Sequence, residues 1–287
     1  KTTAEVRANI KSNAPRDIEQ PGKLYIMGSY IFLNEIDRGI HVINNSNPAS
    51  PQRVAFIDIP GNMDLAVKGT TLYADLYTDL VAIDISNPMN VVLKKVVEGV
   101  FPRRYYYSSF MPDSTRIIAD WERRDTMVIE DCGGNWGSFE MDRGVFMTLS
   151  SNGSSGAPSF SSPVGMGGSM ARFTITRDRL YTVGDNELDA FNITDATNPN
   201  HTSNKPLPWG IETIYPFKDN LFIGSTSGMY IFSISNPDNP VQVGQFAHAR
   251  SCDPVIADDN YAYVTLRSGS ECLGYTNQLD VVAVNNI

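Results

Sequence analysis

The stretch Val81–Pro88, VAIDISNP, decides how this sequence is interpreted. It reads as a buried strand that runs into a polar Ser-Asn-Pro stop. Clear relatives of this stretch end at Pro48, Pro199 and Pro237, and another, VVAVNN, lies close to the C-terminus. A weaker copy, MVIEDC, occupies Met127–Cys132. Copies spaced by 40 to 62 residues indicate a repeat architecture that runs through the whole chain.

Each repeat unit reads as four short strands. The second unit offers DLAV, LYADLY, LVAIDI and VVLKKVV, separated by turn residues such as Lys68-Gly69-Thr70 and Ser86-Asn87-Pro88. Short runs rich in Val, Ile, Leu and Tyr and bounded by Gly, Asn, Asp and Pro are typical of all-β folds. No stretch shows a convincing helical periodicity. The sequence therefore predicts an all-β protein.

Six such units predict a six-bladed β-propeller. The sixth unit lacks a fourth strand, and we expect Glu5–Ile10 to supply it by pairing with Gln278–Val284. Closing the ring in this way removes open sheet edges. A β-solenoid is the alternative, but it would not need the N-terminal segment. The predicted single domain comprises blade 1 (about 22–59), blade 2 (60–98), blade 3 (99–150) with a Ser/Gly-rich insertion (151–168), blade 4 (169–207), blade 5 (208–246) and blade 6 (247–287 plus strand 5–10).

Composition excludes some classes of function. The 287 residues carry a formal net charge of −9, which argues against a general nucleic-acid binder. No apolar run reaches the roughly 20 residues that span a bilayer. The three cysteines form no CxxC pair and the three histidines are scattered, so a structural zinc site is not expected.

The repeats resemble those of the bacterial LVIVD-repeat β-propeller proteins. The resemblance rests on DLVAIDISNP, VINNSNP and IFSISNP, on GGSMARFTI (Gly167–Ile175) and on the run Cys252–Val284. The first repeat departs from the family's pattern with Asn44-Asn45, and the third lacks the Asn-Pro stop. The resemblance implies a propeller that is exported or lipid-anchored at the cell surface, through an anchor upstream of this sequence, and it implies no reaction.

We find no constellation typical of an enzyme. The sequence contains no G-x-S-x-G, and no histidine has an evident Ser or Asp partner. The acidic position of VAIDISNP, Asp84, varies freely between copies, which favours a structural role. The alternative function is a lactonase-like, metal-dependent hydrolase that holds calcium in the channel, since hard cations prefer oxygen ligands. Its predicted metal ligands are Asn62, Asp64, Glu212 and Asp253. The competing interpretation of these acids is a neutralised ring of charges, because Lys23, Arg104 and Arg172 would share the mouth of the channel.

The preferred function is non-catalytic binding. In a propeller, the connectors between blades and the turns between second and third strands lie on one face, and Arg and Trp gather there. Such residues are enriched at binding hot spots, and Arg suits carboxylate or phosphate groups. They could equally pair with acids of neighbouring loops. The candidate ligand-binding residues are Arg103, Arg104, Arg123, Arg124, Trp209, His248, Arg250 and Arg267. The expected partner is a surface protein or a small anionic or glycan ligand.

Cys252 and Cys272 are predicted to form a disulfide. They lie at the same end of a predicted hairpin in blade 6, so the geometry is reasonable, and a bridge would suit an oxidising compartment. Closing the loop between Cys252 and Cys272 would stabilise the folded protein by about 3 kcal/mol in the chain-entropy model. Cys132 would remain either buried or reactive. Two free thiols are the alternative.

Overall fold

The structure, a computed structural model, describes residues 1–101, 171–247, 255–266 and 277–284. The predicted third unit beyond Phe101 and the Ser/Gly-rich insertion lie outside these ranges. Within them the chain is almost entirely β, with antiparallel sheets as the repeats predicted. None of the described helices is long and apolar enough to cross a membrane.

Five sheets follow one another along the described chain. After the helix α1 (Thr3–Ala8), sheet A contains β1 (Ser12–Asn13), β2 (Pro21–Met27), β3 (Tyr30–Glu35), β4 (Gly39–Asn44) and β5 (Gln52–Asp58). Sheet B contains β6 (Leu65–Lys68), β7 (Thr71–Leu76), β8 (Asp79–Asp84) and β9 (Val92–Val97). Sheet C contains β10 (Phe173–Thr176), β11 (Arg179–Val183), β12 (Glu187–Asn192) and β13 (Asn200–Pro206).

Sheet D contains β14 (Ile211–Phe217), β15 (Asn220–Ser225), β16 (Gly228–Ser233) and β17 (Val241–Ala247). Sheet E contains β18 (Val255–Ala257), β19 (Tyr261–Leu266) and β20 (Gln278–Ala283). In sheets B, C and D the strands pair in simple chain order, as the repeat predicted.

The predicted role of Glu5–Ile10 as the closing strand is wrong. Most of this segment lies in the helix α1, and the chain then adds β1 to the outer edge of sheet A, where Ser12 pairs with Ile57. Sheet E has three strands among the described residues, and β20 lies at its edge. The N-terminus therefore extends the first sheet and does not complete the last one.

A capping box explains where the helix begins. Thr2 and Glu5 form it: the Thr2 hydroxyl accepts from the Glu5 amide and the Glu5 carboxylate accepts from the Thr2 amide. Val6 inside the helix and Ile10 just after it are both buried in the core between sheets A and B. This packing holds the helix against the two sheets.

The core lies between successive sheets. One apolar cluster joins A to B, a second joins B to C, a third joins C to D and a fourth joins D to E. In the first, Leu65 and Leu72 of sheet B are almost completely buried against sheet A. Burying one such leucine contributes about 2 kcal/mol. Face-to-face packing of consecutive sheets is therefore the main source of stability.

Sheets B and C are direct neighbours, although the sequence interpretation placed a blade between them. Tyr73 of β7 and Phe173 of β10 share one core cluster. The Tyr73 hydroxyl donates to the carbonyl of Ala196, at 2.7 Å, in the turn that precedes β13. In the same way the Tyr181 hydroxyl of sheet C donates to the carbonyl of Pro237 in sheet D, at 2.8 Å.

A ladder of ion pairs also links consecutive sheets at the turns between first and second strands. Lys68 pairs with Asp178 at 2.8 Å, Lys218 pairs with Asp259 at 2.6 Å, and an arginine–aspartate pair occupies the seam between them. These exposed pairs contribute less than about 1 kcal/mol each. They lie at the end of the sheets opposite the turns between second and third strands.

Candidate functional site

The VAIDISNP motif forms a turn, as its variability suggested. Asp84 ends β8, and its carboxylate accepts from the amide of Ser86 at 2.9 Å. The side chain of Asn87 accepts from the amide of Met89 at 3.1 Å. These local bonds to backbone amides are typical of Asx turns. The motif is thus part of the framework.

A buried aspartate joins three sheets where their first strands begin. Asp64 is 1 % exposed, and its Oδ2 accepts from the amides of Arg172, at 2.6 Å, and Phe173, at 2.8 Å. Its Oδ1 accepts from the amide of Leu65 at 2.7 Å and lies 3.3 Å from the Nζ of Lys23 in sheet A. Burial raises the pKa of Asp64, while Lys23 and the amide donors act in the opposite direction. Asp64 therefore ties sheets A, B and C together.

Asn62 belongs to the same framework. Its side-chain oxygen accepts from the amide group of Asn34 at 2.5 Å, and its nitrogen donates to the carboxylate of Asp75 at 2.7 Å. Asp75 also accepts from the backbone amides of Met63 and Asp64, at 2.9 and 3.1 Å. The oxygens of Asn62 and Asp64, two of the four predicted calcium ligands, are thus engaged by N–H donors.

The structure does not place the other two predicted calcium ligands, Glu212 and Asp253, in a metal site among the residues it describes. Glu212 lies in β14 and is partly exposed, and Asp253 lies outside the described residues. Across the described ranges, no group of three or more His, Cys, Asp and Glu side chains is arranged to hold a metal ion. The calcium alternative stays a prediction.

A pocket opens beside the Asp64 junction, and we call it the mouth pocket. It lies where sheets B and C meet. Its lining residues are Asp75, Phe101, Arg172, Phe173, Val183, Gly184, Asp185 and Glu187. One wall is apolar because the rings of Phe101 and Phe173 are stacked, with centroids 5.9 Å apart and planes inclined by 18°.

The polar wall of the mouth pocket is acidic. The Arg172 guanidinium lies 3.2 Å from the carboxylate of Asp185, and both side chains are partly exposed, at 25 % and 38 %. Glu187 is almost buried at 8 %, and Asp75 is buried at the base of the wall. One guanidinium therefore faces three carboxylates, so the lining side chains carry a net negative charge. The Arg172 guanidinium remains a strong hydrogen-bond donor in the pocket.

The connector after β13 carries an exposed tryptophan to the rim of this pocket. The amides of Gly210 and Ile211 donate to the carbonyl of Asp185, at 3.0 and 3.2 Å, so the connector lies against the turn at Asp185. Gly210 has φ +87°, a backbone conformation that favours glycine. Trp209, the residue before it, is 52 % exposed.

The structure brings two residues singled out from the sequence, Arg172 and Trp209, to one rim. The other predicted binding residues lie outside the described residues: Arg103, Arg104, Arg123, Arg124, His248, Arg250 and Arg267. The same holds for Cys132, Cys252 and Cys272, so the disulfide stays a prediction.

Sequence reasoning missed Asp185, Glu187 and Phe101. A signal for the first two was present, since Gly184-Asp185-Asn186-Glu187 is the turn between second and third strands and therefore lies on the predicted binding face. Phe101 could not be placed, because its contact with Phe173 depends on sheets B and C being neighbours.

The sheets and the mouth pocket define an all-β protein of the β-propeller type. Residues 61–98, which form sheet B and the segments around it, match the family model of the LVIVD repeat. This match confirms, for the second unit, the resemblance that the sequence motifs suggested. No protein with a curated description matches the sequence.

Solved structures share the fold at low sequence identity. The computationally designed Ika8 protein is 8 % identical, with a TM-score of 0.53 over 92 % of this chain and 58 % of Ika8. A protein from Lactobacillus plantarum is 13 % identical, with a TM-score of 0.53 over 93 % of this chain and 71 % of that protein. These neighbours are β-propeller-like, and the likeness shows the fold alone. This chain therefore spans little more than half the length of the designed propeller.

Proposed function

We propose that this chain is a non-catalytic, propeller-type binding module whose ligand binds in the mouth pocket. One observation carries the proposal: the Arg172–Asp185 pair and the stacked rings of Phe101 and Phe173 share a pocket beside the rigid junction at Asp64. A small number of polar groups on an otherwise apolar, preformed wall is the usual design of a small-molecule site.

The chemistry of the pocket favours a small hydroxylated ligand such as a sugar unit. The Asp185 carboxylate can accept from hydroxyl groups and the Arg172 guanidinium can donate to them. The excess of carboxylates disfavours an anionic ligand. Of the ligands expected from the sequence, a glycan suits the pocket better than an anion.

Larger parts of the proposal rest on the family resemblance. We place the protein outside the cytoplasm at the cell surface, which is what the resemblance of the sequence motifs implies. A surface protein could bind more widely, through the predicted arginines of the loop-rich face. The total of six blades stays a prediction because the third unit lies outside the described residues.

The hydrolase alternative receives no support from the described geometry. The oxygens of Asp64 already accept from three backbone amides, so binding calcium there would cost those hydrogen bonds. The exposed acid of the mouth, Asp185, is paired with a guanidinium and lies on a turn.

Titration calorimetry against a panel of mono- and disaccharides tests the binding function. We expect one ligand to bind, and the Asp185→Asn and Glu187→Gln variants to bind it at least about tenfold more weakly, since one lost hydrogen bond to a charged group costs about 1.5–3 kcal/mol. The matched control is Asp84→Asn, which changes a partly exposed carboxylate at the opposite end of sheet B. Unchanged affinity in both pocket variants, or no binding by any sugar, would refute the proposal.

A further inference from the structure

A glycine lines the mouth pocket at a position where the other sheets carry a side chain. Gly184 directly follows β11, and its amide donates to the carbonyl of Glu187, the first residue of β12, at 3.0 Å. An equivalent pair closes the end of the second and third strands in the other described sheets. The residues at the position of Gly184 in sheets A, B, D and E are Glu35, Leu76, Ser225 and Leu266. Among the five described sheets, sheet C alone lacks a side chain there.

The glycine is explained by space and not by the backbone. The φ angle of Gly184 lies outside the left-handed region, so its backbone conformation does not require glycine. A Cβ on Gly184 would lie 2.5 Å from a carboxylate oxygen of Glu187, which is much closer than non-bonded atoms pack. In sheets B and E the equivalent leucines, Leu76 and Leu266, belong to core clusters instead. The missing side chain therefore leaves room for the Glu187 carboxylate on the wall of the mouth pocket.

The layer beneath Gly184 and Glu187 is also polar. Thr182 and Asp189 pair across β11 and β12, two residues farther from the mouth, and residues two apart on a strand share a face. Thr182 is 0 % and Asp189 is 2 % exposed, yet Thr182 Oγ1 and Asp189 Oδ2 have no hydrogen-bond partner in the described part of the chain. The residues at the position of Thr182 in the other described sheets are apolar: Leu33, Ala74, Ile223 and Val264.

Unpaired polar atoms in a core cost stability, and such violations of good packing are expected at functional sites. In sheet C they gather on one face, at the mouth pocket and directly beneath it. This face therefore departs from the repeat in a way that favours binding over framework.

We infer that Gly184 decides what the mouth pocket binds, by placing the Glu187 carboxylate where it accepts from a hydroxyl group of the ligand. The inference rests on the proposed binding function. A carboxylate has about four acceptor sites, so Glu187 can bind a ligand and keep its other partners. Glu187 is almost buried, so water screens a hydrogen bond to it only weakly. Gly184 acts through Glu187 and is a positioning residue.

Titration calorimetry with the sugar that binds the parent chain tests this inference. We expect Gly184→Ala to weaken binding at least about tenfold, as much as Glu187→Gln, because its methyl group displaces the carboxylate. The double variant should bind no more weakly than the weaker single variant, since both substitutions remove the same contact. Unchanged affinity of Gly184→Ala, or losses that add in the double variant, would overturn the inference.

Gly244→Ala is the matched control. Gly244 lies in β17 of sheet D, and its φ is also outside the left-handed region. A Cβ there would lie 3.4 Å from the side chain of Ile231, so we expect the affinity for the sugar to be unchanged.

Urea unfolding without ligand separates this inference from the proposed function. Gly184→Ala should lower the urea midpoint of the parent chain, because the added methyl group strikes the Glu187 carboxylate. In a Glu187→Ala chain the same substitution should not lower the midpoint, since the oxygen that it would strike is gone. An equal loss in both backgrounds would show that Gly184 does not position Glu187 and would overturn the inference. If no sugar binds, the proposed function and the ligand contact both fail, and this cycle still decides the placement of Glu187.

Discussion

Replacing Asp64 by Asn tests whether one buried carboxylate holds three sheets together. The change keeps the size of the side chain but replaces one carboxylate oxygen with an NH₂ group, which cannot accept a hydrogen bond. With the remaining oxygen facing Leu65, the amides of Arg172 and Phe173 lose their acceptor. An unsatisfied buried donor costs about 1–3 kcal/mol, so the two together set a range of about 2–6 kcal/mol.

Relief from burying a charge offsets part of that cost. We therefore expect the Asp64→Asn substitution to lower the free energy of unfolding by about 3 kcal/mol, a large fraction of the typical 5–15 kcal/mol. Urea titration followed by circular dichroism measures it. The control is Asp84→Asn, where the retained side-chain oxygen can still accept from Ser86, with an expected loss below about 1 kcal/mol. Equal losses in the two variants would refute the role of Asp64 as the junction between sheets.

The remaining predictions concern other contacts between elements. Tyr73→Phe removes one hydrogen bond between sheets and keeps the ring, so urea titration should show a loss of about 1 kcal/mol, and no loss would contradict the contact. Val6→Ala should cost about 2 kcal/mol in the same assay if the helix packs in the core, and a negligible cost would contradict that packing. The Arg179 guanidinium lowers the pKa of Asp238. A carboxylate whose pKa is lowered by folding stabilises the protein at pH values above its pKa in the unfolded chain. This stabilisation is lost as the pH falls through its pKa in the folded protein. Asp238→Asn should therefore be less stable than the parent at pH 7, by at most about 1 kcal/mol, with the difference vanishing once the pH has fallen through the lowered pKa of Asp238. A difference that persists after the carboxyl is protonated would contradict the ion pair.

The strands of the second unit were predictable because two independent signals agree there. The apolar run of VAIDISNP and its stop at Pro88 set the third strand, and the observed β8 (Asp79–Asp84) begins and ends within one residue of the predicted LVAIDI. The neighbouring strands follow because turn residues punctuate both ends. Local chemistry decides these elements, so a single sequence is sufficient to find them.

The N-terminal segment was misread because six residues carry too little periodicity to separate a helix from a strand. Polar and apolar residues alternate in EVRANI, as in a strand, and the sixth unit lacked a fourth strand that this segment could supply. The capping box of Thr2 and Glu5 was visible in the sequence and favours a helix. An argument from the architecture took precedence over a local signal, and the local signal was correct.

The mouth pocket was predictable only in part. The rule that connectors and turns between second and third strands share one face placed Trp209 and the turn at Asp185 correctly. It could not pair Phe101 with Phe173, because that contact requires sheets B and C to be neighbours. Which sheets adjoin is a property of the assembled fold, and the repeat pattern alone predicts only the order of units along the chain.

Asp64 and Asp185 show how framework and function can be separated in a repeat protein. Both are acids at the same mouth, and sequence reasoning chose Asp64 because it leads a first strand. Asp64 is 1 % exposed and its oxygens accept from three backbone amides, whereas the Asp185 side chain is 38 % exposed and pairs with one guanidinium. A ligand can compete for Asp185 by replacing a single solvent-screened pair, but it would have to strip several buried hydrogen bonds from Asp64. We therefore assign the proposed binding role to the turns, whereas Asp64 and the other heads of the first strands belong to the framework.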